Sequence, residues 1–261
     1  MSELINYERL ESIKESLKVE FNDPKKPFRY LCFENFFHLE AAERILHAYP
    51  DVTKGQWDGT TYINQKNKYA LTTFEEPLLN QVFEELNSTK LLSIVSEITK
   101  IEDLKPDAKL FGGGLHQSLK GAFLDVHVDF NYHPETRQHR RLNILVYMNK
   151  DWKKEYNGFL ELWDLPTNQQ LAYISPDFNR CVIFETNEVS FHGHPKPLNT
   201  PPHLSRKSIA AYYYTDTRPA HEIASEHNTI YVNTEGLDGK LKNLKSGMKA
   251  FLERVNKKTD A

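Results

Sequence analysis

Two positions apart in the stretch FLDVHVDFNYHPE (123–135), His127 and Asp129 offer an imidazole and a carboxylate. The stretch has the character of a β-strand, and side chains two apart on a strand project from one face. A polar surface stripe accounts for such a pair taken alone. The sharper reading is part of a metal site in which two histidines and one carboxylate hold iron(II) from one side and leave the other positions open. The second histidine must come from elsewhere, and SFHGHPKP (190–197) supplies two candidates, His192 and His194. Open positions on such a metal can take dioxygen and a chelating co-substrate. A dicarboxylate co-substrate needs a cation for its far end. Arg206 offers a forked, bidentate contact, and Ser208, two residues on and facing the same way, adds a hydroxyl.

These side chains need a scaffold that brings residues about sixty-five positions apart to one point. From about Lys109 to Tyr214 the sequence supplies short β-rich runs: AKLFGGGL, GAFLDVHVDF, RLNILVYMN, GFLELWDL, QLAYISP, RCVIFETN, EVSFHGH and KSIAAYYYT. Gly, Pro and Asn clusters separate them, and no helical period intervenes. Many short strands divided by turns predict a sandwich or closed barrel rather than a parallel sheet with crossover helices. The expected fold is mainly β with flanking helices: a double-stranded β-helix, that is, a jelly-roll or cupin-like core of about eight strands.

The flanks read as helical. Leu39, Ala42, Leu46 and Tyr49 recur at helical steps until Pro50; Leu78, Val82, Phe83 and Leu86 share a face after Pro77; Leu91, Ile94, Val95 and Ile98 follow a break near Asn87-Ser88. Near the C-terminus, Leu241, Leu244, Met248, Leu252 and Val255 trace another apolar stripe. The expectation is one domain: a mostly helical N-terminal support over 1–105, the β core over 106–219 and a C-terminal helical extension over 220–261.

The chain has 261 residues, 39% of them apolar and 26% charged, which suits a packed globular protein. A net charge of −3 gives no overall field to draw in nucleic acid or anionic membrane. The two cysteines, Cys32 and Cys181, are far apart and form no CxxC, which argues against a disulfide framework or a cysteine-based zinc site. The N-terminal residues are too charged for a signal peptide, and no run of 18 apolar residues occurs. A cytoplasmic, reducing location is expected.

The order His-x-Asp, His, Arg-x-Ser resembles the 2-oxoglutarate- and iron(II)-dependent dioxygenases, in particular their prolyl 4-hydroxylase-like branch. The resemblance runs from about Leu110 to Pro219 and is carried by GGGLHQSLKGAFLDVHVDFNYHP, RRLNILVYMNKDWKKEYNGFLELWD and NRCVIFETNEVSFHGHPKPL. It implies that His127, Asp129 and His192 are the metal ligands, because the branch's Ser-aromatic-His-Gly pattern selects His192 over His194. It implies that Arg206 binds the C5 carboxylate of 2-oxoglutarate, with Tyr147 and Ser208 assisting. The implied cofactors are Fe(II), 2-oxoglutarate and O₂, with ascorbate as an accessory reductant. The implied reaction is hydroxylation of an unactivated C–H bond, with a peptidyl proline as the leading substrate. A free amino acid or small metabolite is the alternative, followed by a non-catalytic metal-binding jelly roll and a zinc hydrolase. Arg141, Asn131 and Asn143 are candidate substrate contacts: Arg141 and Asn143 share a strand face with Tyr147, and Asn131 lies in the turn after Asp129.

There are departures from the branch. Asn157-Gly158-Phe159 has one glycine where two are usual, Met148 replaces a leucine, and the proline-rich segment 195–205 is long. That segment is expected near the mouth of the site. His116 and His133 flank the site in sequence, with a structural role the default for each. Gly112-Gly113-Gly114 lacks the Lys-Ser/Thr of a phosphate loop and reads as a bulge or a close backbone approach.

Overall fold

The computed structural model of the protein describes residues 2–54 and 56–232. In chain order they form α1 (Tyr7–Phe21), β1 (Tyr30–Glu34), α2 (Leu39–Ala48), β2 (Asp58–Tyr62), β3 (Gln65–Leu71), α3 (Pro77–Leu86), α4 (Thr89–Thr99) and β4 (Lys105–Pro106). There follow β5 (Gly114–Val128), β6 (His139–Tyr147), β7 (Leu160–Asp164), β8 (Gln169–Ile174), β9 (Arg180–Glu185), β10 (Phe191–His194), β11 (Arg206–Thr215) and β12 (Ile230–Tyr231).

The strands pair antiparallel in the order β1-β9-β6-β11-β5-β10-β7-β8. β5 is the pivot. Its first half pairs with β11 and its second half with β10, so one long strand serves two curled layers. One layer runs β5-β11-β6-β9 and the other β5-β10-β7-β8, which is the double-stranded β-helix. The two runs AKLFGGGL and GAFLDVHVDF are thus not separate strands. Residues 108–113 are turns, and the second run continues the same strand through Gly121. A Cβ on Gly114 would lie 2.3 Å from the Leu71 carbonyl oxygen, and one on Gly113 would lie 2.9 Å from that of Ala210. The glycine cluster is therefore a close backbone approach.

Strand alternation sorts the apolar residues between two cores. Leu142, Ile144 and Val146 of β6 face outward and pack with α1–α4, whereas Tyr147 faces inward with Leu160, Leu162, Val182 and Phe184. The predicted α2, α3 and α4 are present, and Ser88 caps α4 by accepting a hydrogen bond from the Leu91 amide. α2 turns differently from its predicted stripe: Ala41, Ala42 and Ile45 are buried while Leu39 is exposed.

The first hundred residues are less helical than the sequence suggests. β1 extends the sheet beside β9, and the hairpin β2–β3 joins the other edge against β5. β1 has only five residues and β3 is largely polar, so neither carries a long apolar signature. After Pro219 the described chain is a short 3₁₀ turn at Ala220–Glu222, then β12, which pairs with β5 opposite His127 and Val128. The helix expected from Leu241 onward lies outside the described residues. Among the described residues, no helix is long and apolar enough to cross a membrane. Cys32 and Cys181 are both free thiols.

Candidate metal centre and co-substrate slot

The pairing of β5 with β10 puts His127 directly opposite His192. Cross-strand partners in an antiparallel sheet project to the same face, so the two imidazoles meet, with ring centroids 4.4 Å apart. Asp129 sits one residue beyond the end of β5 and turns its carboxylate back between them. Its Oδ1 is 3.7 Å from His127 Nε2 and its Oδ2 is 3.5 Å from His192 Nε2. All three ligand atoms lie within 4.8 Å of one another. A Cβ on Gly193 would lie 2.9 Å from the carbonyl oxygens of Leu124 and Asp125, so a side chain after His192 would push β10 off β5.

The hydrogen bonding prepares these donors. His127 Nδ1 donates to the Asp125 carbonyl and His192 Nδ1 to that of Ser190, each at 2.9 Å. A carbonyl oxygen only accepts, so the ring proton is on Nδ1 and the Nε2 lone pair faces the centre. Burial, reinforced by His127, pushes the His192 imidazole down to about 3. Burial alone would raise the Asp129 carboxyl, but Arg140 and the two imidazoles outweigh it and hold the group well below the usual carboxylate range. One carboxylate and histidines with free Nε2 atoms are the donor set a divalent iron requires, so the residues fit the metal.

Arg140 and Asn143 hold the carboxylate. Asn143 Nδ2 donates to Asp129 Oδ2 at 2.7 Å, while Asn143 Oδ1 accepts from Arg140 Nε at 3.0 Å and Nη2 at 2.8 Å. Arg140 Nη2 is itself 3.1 Å from Asp129 Oδ2, and its guanidinium lies 3.7 Å from the Tyr212 ring centroid and 4.4 Å from that of Phe130. With Oδ2 committed, Oδ1 is left for a metal.

The sequence had pointed to Arg141 instead, and the structure places it elsewhere. Leu142 pairs with Tyr213, but the next partner of Tyr214 is Arg140, so two residues of β6 oppose one step of β11. This bulge exchanges the faces: Arg140 turns into the barrel and Arg141 out of it. Arg141 reaches Thr215 Oγ1 and Glu222 Oε2, each at 3.4 Å, and does not line the site. Asn131 is also drawn away, donating to the Ser225 carbonyl and accepting from the His227 amide. Asn143 does reach the centre, but as a support for Asp129.

A narrow slot of about 90 Å³ runs from the three donors to Arg206. Register explains its lining. Tyr147 on β6, Ser208 on β11 and His116 on β5 form one inward row, and Arg206, Ser118 and Lys68 of β3 form the next. Arg206 Nε donates to the Gly158 carbonyl at 2.6 Å and Nη2 donates to the Tyr147 hydroxyl at 3.3 Å. Among the described residues Nη1 has no hydrogen-bond acceptor, so it is available to a ligand. His194 lines the slot with His116. Burial, aided by Arg206 and Lys68, holds His194 neutral, and His194 is not among the clustered donors. His133 is structural: its Nδ1 accepts from the amides of Glu135 and Thr136.

The single glycine of Asn157-Gly158-Phe159 stands where it is needed. Gly158 has φ +73°, and a Cβ there would lie 2.3 Å from Leu198 Cδ2 and 3.0 Å from Arg206 Cδ. Asn157, with φ 58° and ψ −153°, lies outside the left-handed helical well, in a region that glycine adopts far more readily than asparagine. The proline-rich segment 195–205 lies behind the anchor rather than at the mouth: Leu198 packs with Ala122 and Trp152, and none of the segment lines the slot or the chamber in front of it.

That chamber, of about 250 Å³, is walled by Tyr62, Tyr69, Phe130, Tyr212 and Tyr231, with Lys68 and Arg140 at its floor. The Tyr62 and Tyr231 hydroxyls are 2.6 Å apart and tie the β2–β3 hairpin to β12. Phe130 and Tyr212 belong to segments the sequence had marked, but sequence reasoning missed Tyr62, Tyr69 and Tyr231, because β2, β3 and β12 carry no motif of their own.

Residues 113–214 match the sequence profile of the 2OG-Fe(II) oxygenase superfamily. A curated relative, the prolyl 3-hydroxylase OGFOD1 of Mus musculus, is 31% identical over 93 residues, which is 33% of this chain and only 17% of that protein. Among solved structures, a prolyl hydroxylase from Trichoplax adhaerens, in complex with a hypoxia inducible factor peptide, superposes with a TM-score of 0.57 at 16% identity, covering 80% of this chain and 92% of that one. A prolyl-4-hydroxylase from Pseudomonas putida gives a TM-score of 0.54 at 15% identity, covering 76% and 98%. At such identities the two structures speak for the fold, while the profile match spans every candidate ligand and the anchor. Residues 113–214 are thus similar to the 2OG-Fe(II) oxygenase superfamily, and they are built on the fold that the two prolyl hydroxylases share.

Proposed function

We propose that the protein hydroxylates an unactivated C–H bond of a prolyl residue in a peptide or protein, using iron(II), 2-oxoglutarate and dioxygen. The observation that carries this reading is the slot joining the His127–Asp129–His192 cluster to Arg206. A purely structural metal site has no use for a buried guanidinium at the far end of such a slot.

In this reading His127 and His192 hold the metal through Nε2 and Asp129 through Oδ1. Arg206 takes the C5 carboxylate through Nη1 and Nη2, with the Tyr147 and Ser208 hydroxyls beside it. The bound metal and keto acid supply an oxidation in which 2-oxoglutarate leaves as succinate and CO₂ and one oxygen atom enters the substrate C–H bond. The chain's own part is to fix Asp129 by way of Asn143 and Arg140, and to keep water out of a slot roofed by Leu145, Leu160 and Phe184. The chamber is open on one side, and its aromatic walls suit the flat apolar face of a pyrrolidine ring. The prolyl assignment is supported by likeness to the prolyl 3-hydroxylase and by the folds compared above.

The test is succinate formation by iron-loaded protein with 2-oxoglutarate and a panel of proline-containing peptides and free amino acids. Peptide products should gain one oxygen in mass, and Asp129→Ala should abolish both signals. Hydroxylation of free amino acids with all peptides inert would replace the substrate. Failure of metal-loaded protein to bind or consume 2-oxoglutarate would remove the reading.

A further inference from the structure

We propose that the substrate brings a carboxylate to the reacting centre, and that Lys68 receives it. This rests on the oxygenase reading above and adds the chemical class of the group beside the target carbon.

Three cations face the inner space, and two of them are accounted for. Arg140 is committed to Asp129, Asn143 and two aromatic rings. Arg206 is fixed by Gly158 and Tyr147 at the far end of the slot. Lys68 is different. It lies on β3 opposite Ser118 and lines both the slot and the outer chamber, and its ammonium makes no hydrogen bond or ion pair with any described residue. It is only partly open to solvent, through the chamber. An ammonium held in such a place without a counter-charge is costly, and a ligand anion removes the cost.

In the proposed arrangement a 2-oxoglutarate would place one end at Arg206, Tyr147 and Ser208 and its keto acid end at the candidate metal ligands, so both of its carboxylates would have other partners. Lys68 also lines the chamber, where it would meet whatever lies against Tyr62, Phe130 and Tyr212. The charged and titratable groups around it are Asp129, Arg140, Arg206, His116, His127, His194 and, at the chamber wall, Asp58 with Tyr62, Tyr69, Tyr212 and Tyr231. Burial pushes the amine down to about 8, with Asp129 opposing and the two arginines reinforcing, so it still carries its charge at neutral pH. Two sources can present the carboxylate: an acidic side chain next to the target residue in a peptide, or the α-carboxylate of a free amino acid.

The experiment uses the full chain loaded with iron(II) and 2-oxoglutarate without oxygen, so that ligands bind without turnover. Calorimetry compares proline-containing peptides that differ only in Glu or Gln beside the proline, and N-acetylproline with its amide. The carboxylate member should bind about ten-fold more tightly than its neutral twin, the strength of one charge-assisted hydrogen bond. Whichever series shows the effect identifies the source. Lys68→Met should reduce the ratio to below about two-fold, Lys68→Arg should keep it, and neither should change 2-oxoglutarate affinity. Equal or absent binding of both members of every pair would overturn the proposal, as would a preference that survives Lys68→Met. A fall in 2-oxoglutarate affinity in Lys68→Met would also overturn it, by giving the lysine to the co-substrate. Failure of the wild-type protein to bind 2-oxoglutarate is seen before any peptide is added, and it would sink the oxygenase reading itself.

Discussion

Two asparagines, Asn143 and Asn131, separate support of the metal centre from support of the fold. Asn143→Ala removes the 2.7 Å hydrogen bond to Asp129 Oδ2 and strands Arg140, whose Nε and Nη2 both donate to the Asn143 amide oxygen. The carboxylate is then held on that side by Arg140 alone, at 3.1 Å, and is free to swing toward it and away from a metal. Removal of a support that orients a ligand typically lowers metal affinity about 10- to 100-fold, or about 1.4–2.8 kcal/mol. A stability loss of about 1–3 kcal/mol should accompany it, because a buried guanidinium loses acceptors. Asn131→Ala is the matched control. Its amide bridges the Ser225 carbonyl and the His227 amide, at 2.8 and 3.0 Å, away from the ligands. It should cost about 1–2 kcal/mol of stability and leave metal affinity within about two-fold. Anaerobic calorimetry with iron(II) and urea melts of the metal-free proteins measure the two quantities separately. Equal metal affinity in Asn143→Ala and wild type would refute the claim that Asn143 positions Asp129. Equal losses in both variants would show only general damage.

Two further outcomes follow from particular groups. Gly158→Ala combines a positive φ with a Cβ 2.3 Å from Leu198 and 3.0 Å from Arg206, so it should displace the anchor and raise KM for 2-oxoglutarate by about ten-fold or more; an unchanged KM in a folded, metal-binding variant would contradict the role given to the Gly158 carbonyl. Burial pushes the Cys32 thiol up to about 12, only partly offset by Arg180, so above about pH 9 the unfolded thiol ionises first and stability falls as pH rises toward 12. Cys32→Ala should lose less stability than wild type between pH 8 and 10 in urea melts, and identical losses would count against that thiol being held protonated.

Much of the site was legible in one dimension because strand alternation is local physics. His127 and Asp129 share a direction because they are two apart, and Arg206 and Ser208 for the same reason. The turn residues between β-rich runs likewise announced an antiparallel barrel. One slip in the reading has a clear physical cause. Arg141 seemed to share a face with Tyr147, and the alternation would have put it there had β6 kept its register. One bulge opposite Tyr214 inverted the assignment and gave the site Arg140. Nothing in Arg140-Arg141 itself marks which of two adjacent arginines a bulge will turn inward.

The sequence by itself determined the β-rich core and the pairs His127/Asp129 and Arg206/Ser208, because each depends on residue type and short-range periodicity, while the preference for His192 over His194 came from the family resemblance. Only the tertiary structure decided which side chains complete the site. The pairing of β3 with β5 brings Lys68 to the junction of slot and chamber, and the return of β12 to β5 closes the front wall with Tyr231. Both are long-range pairings, whose free energy comes from the whole assembled sheet rather than from any local signal in the segments that join it.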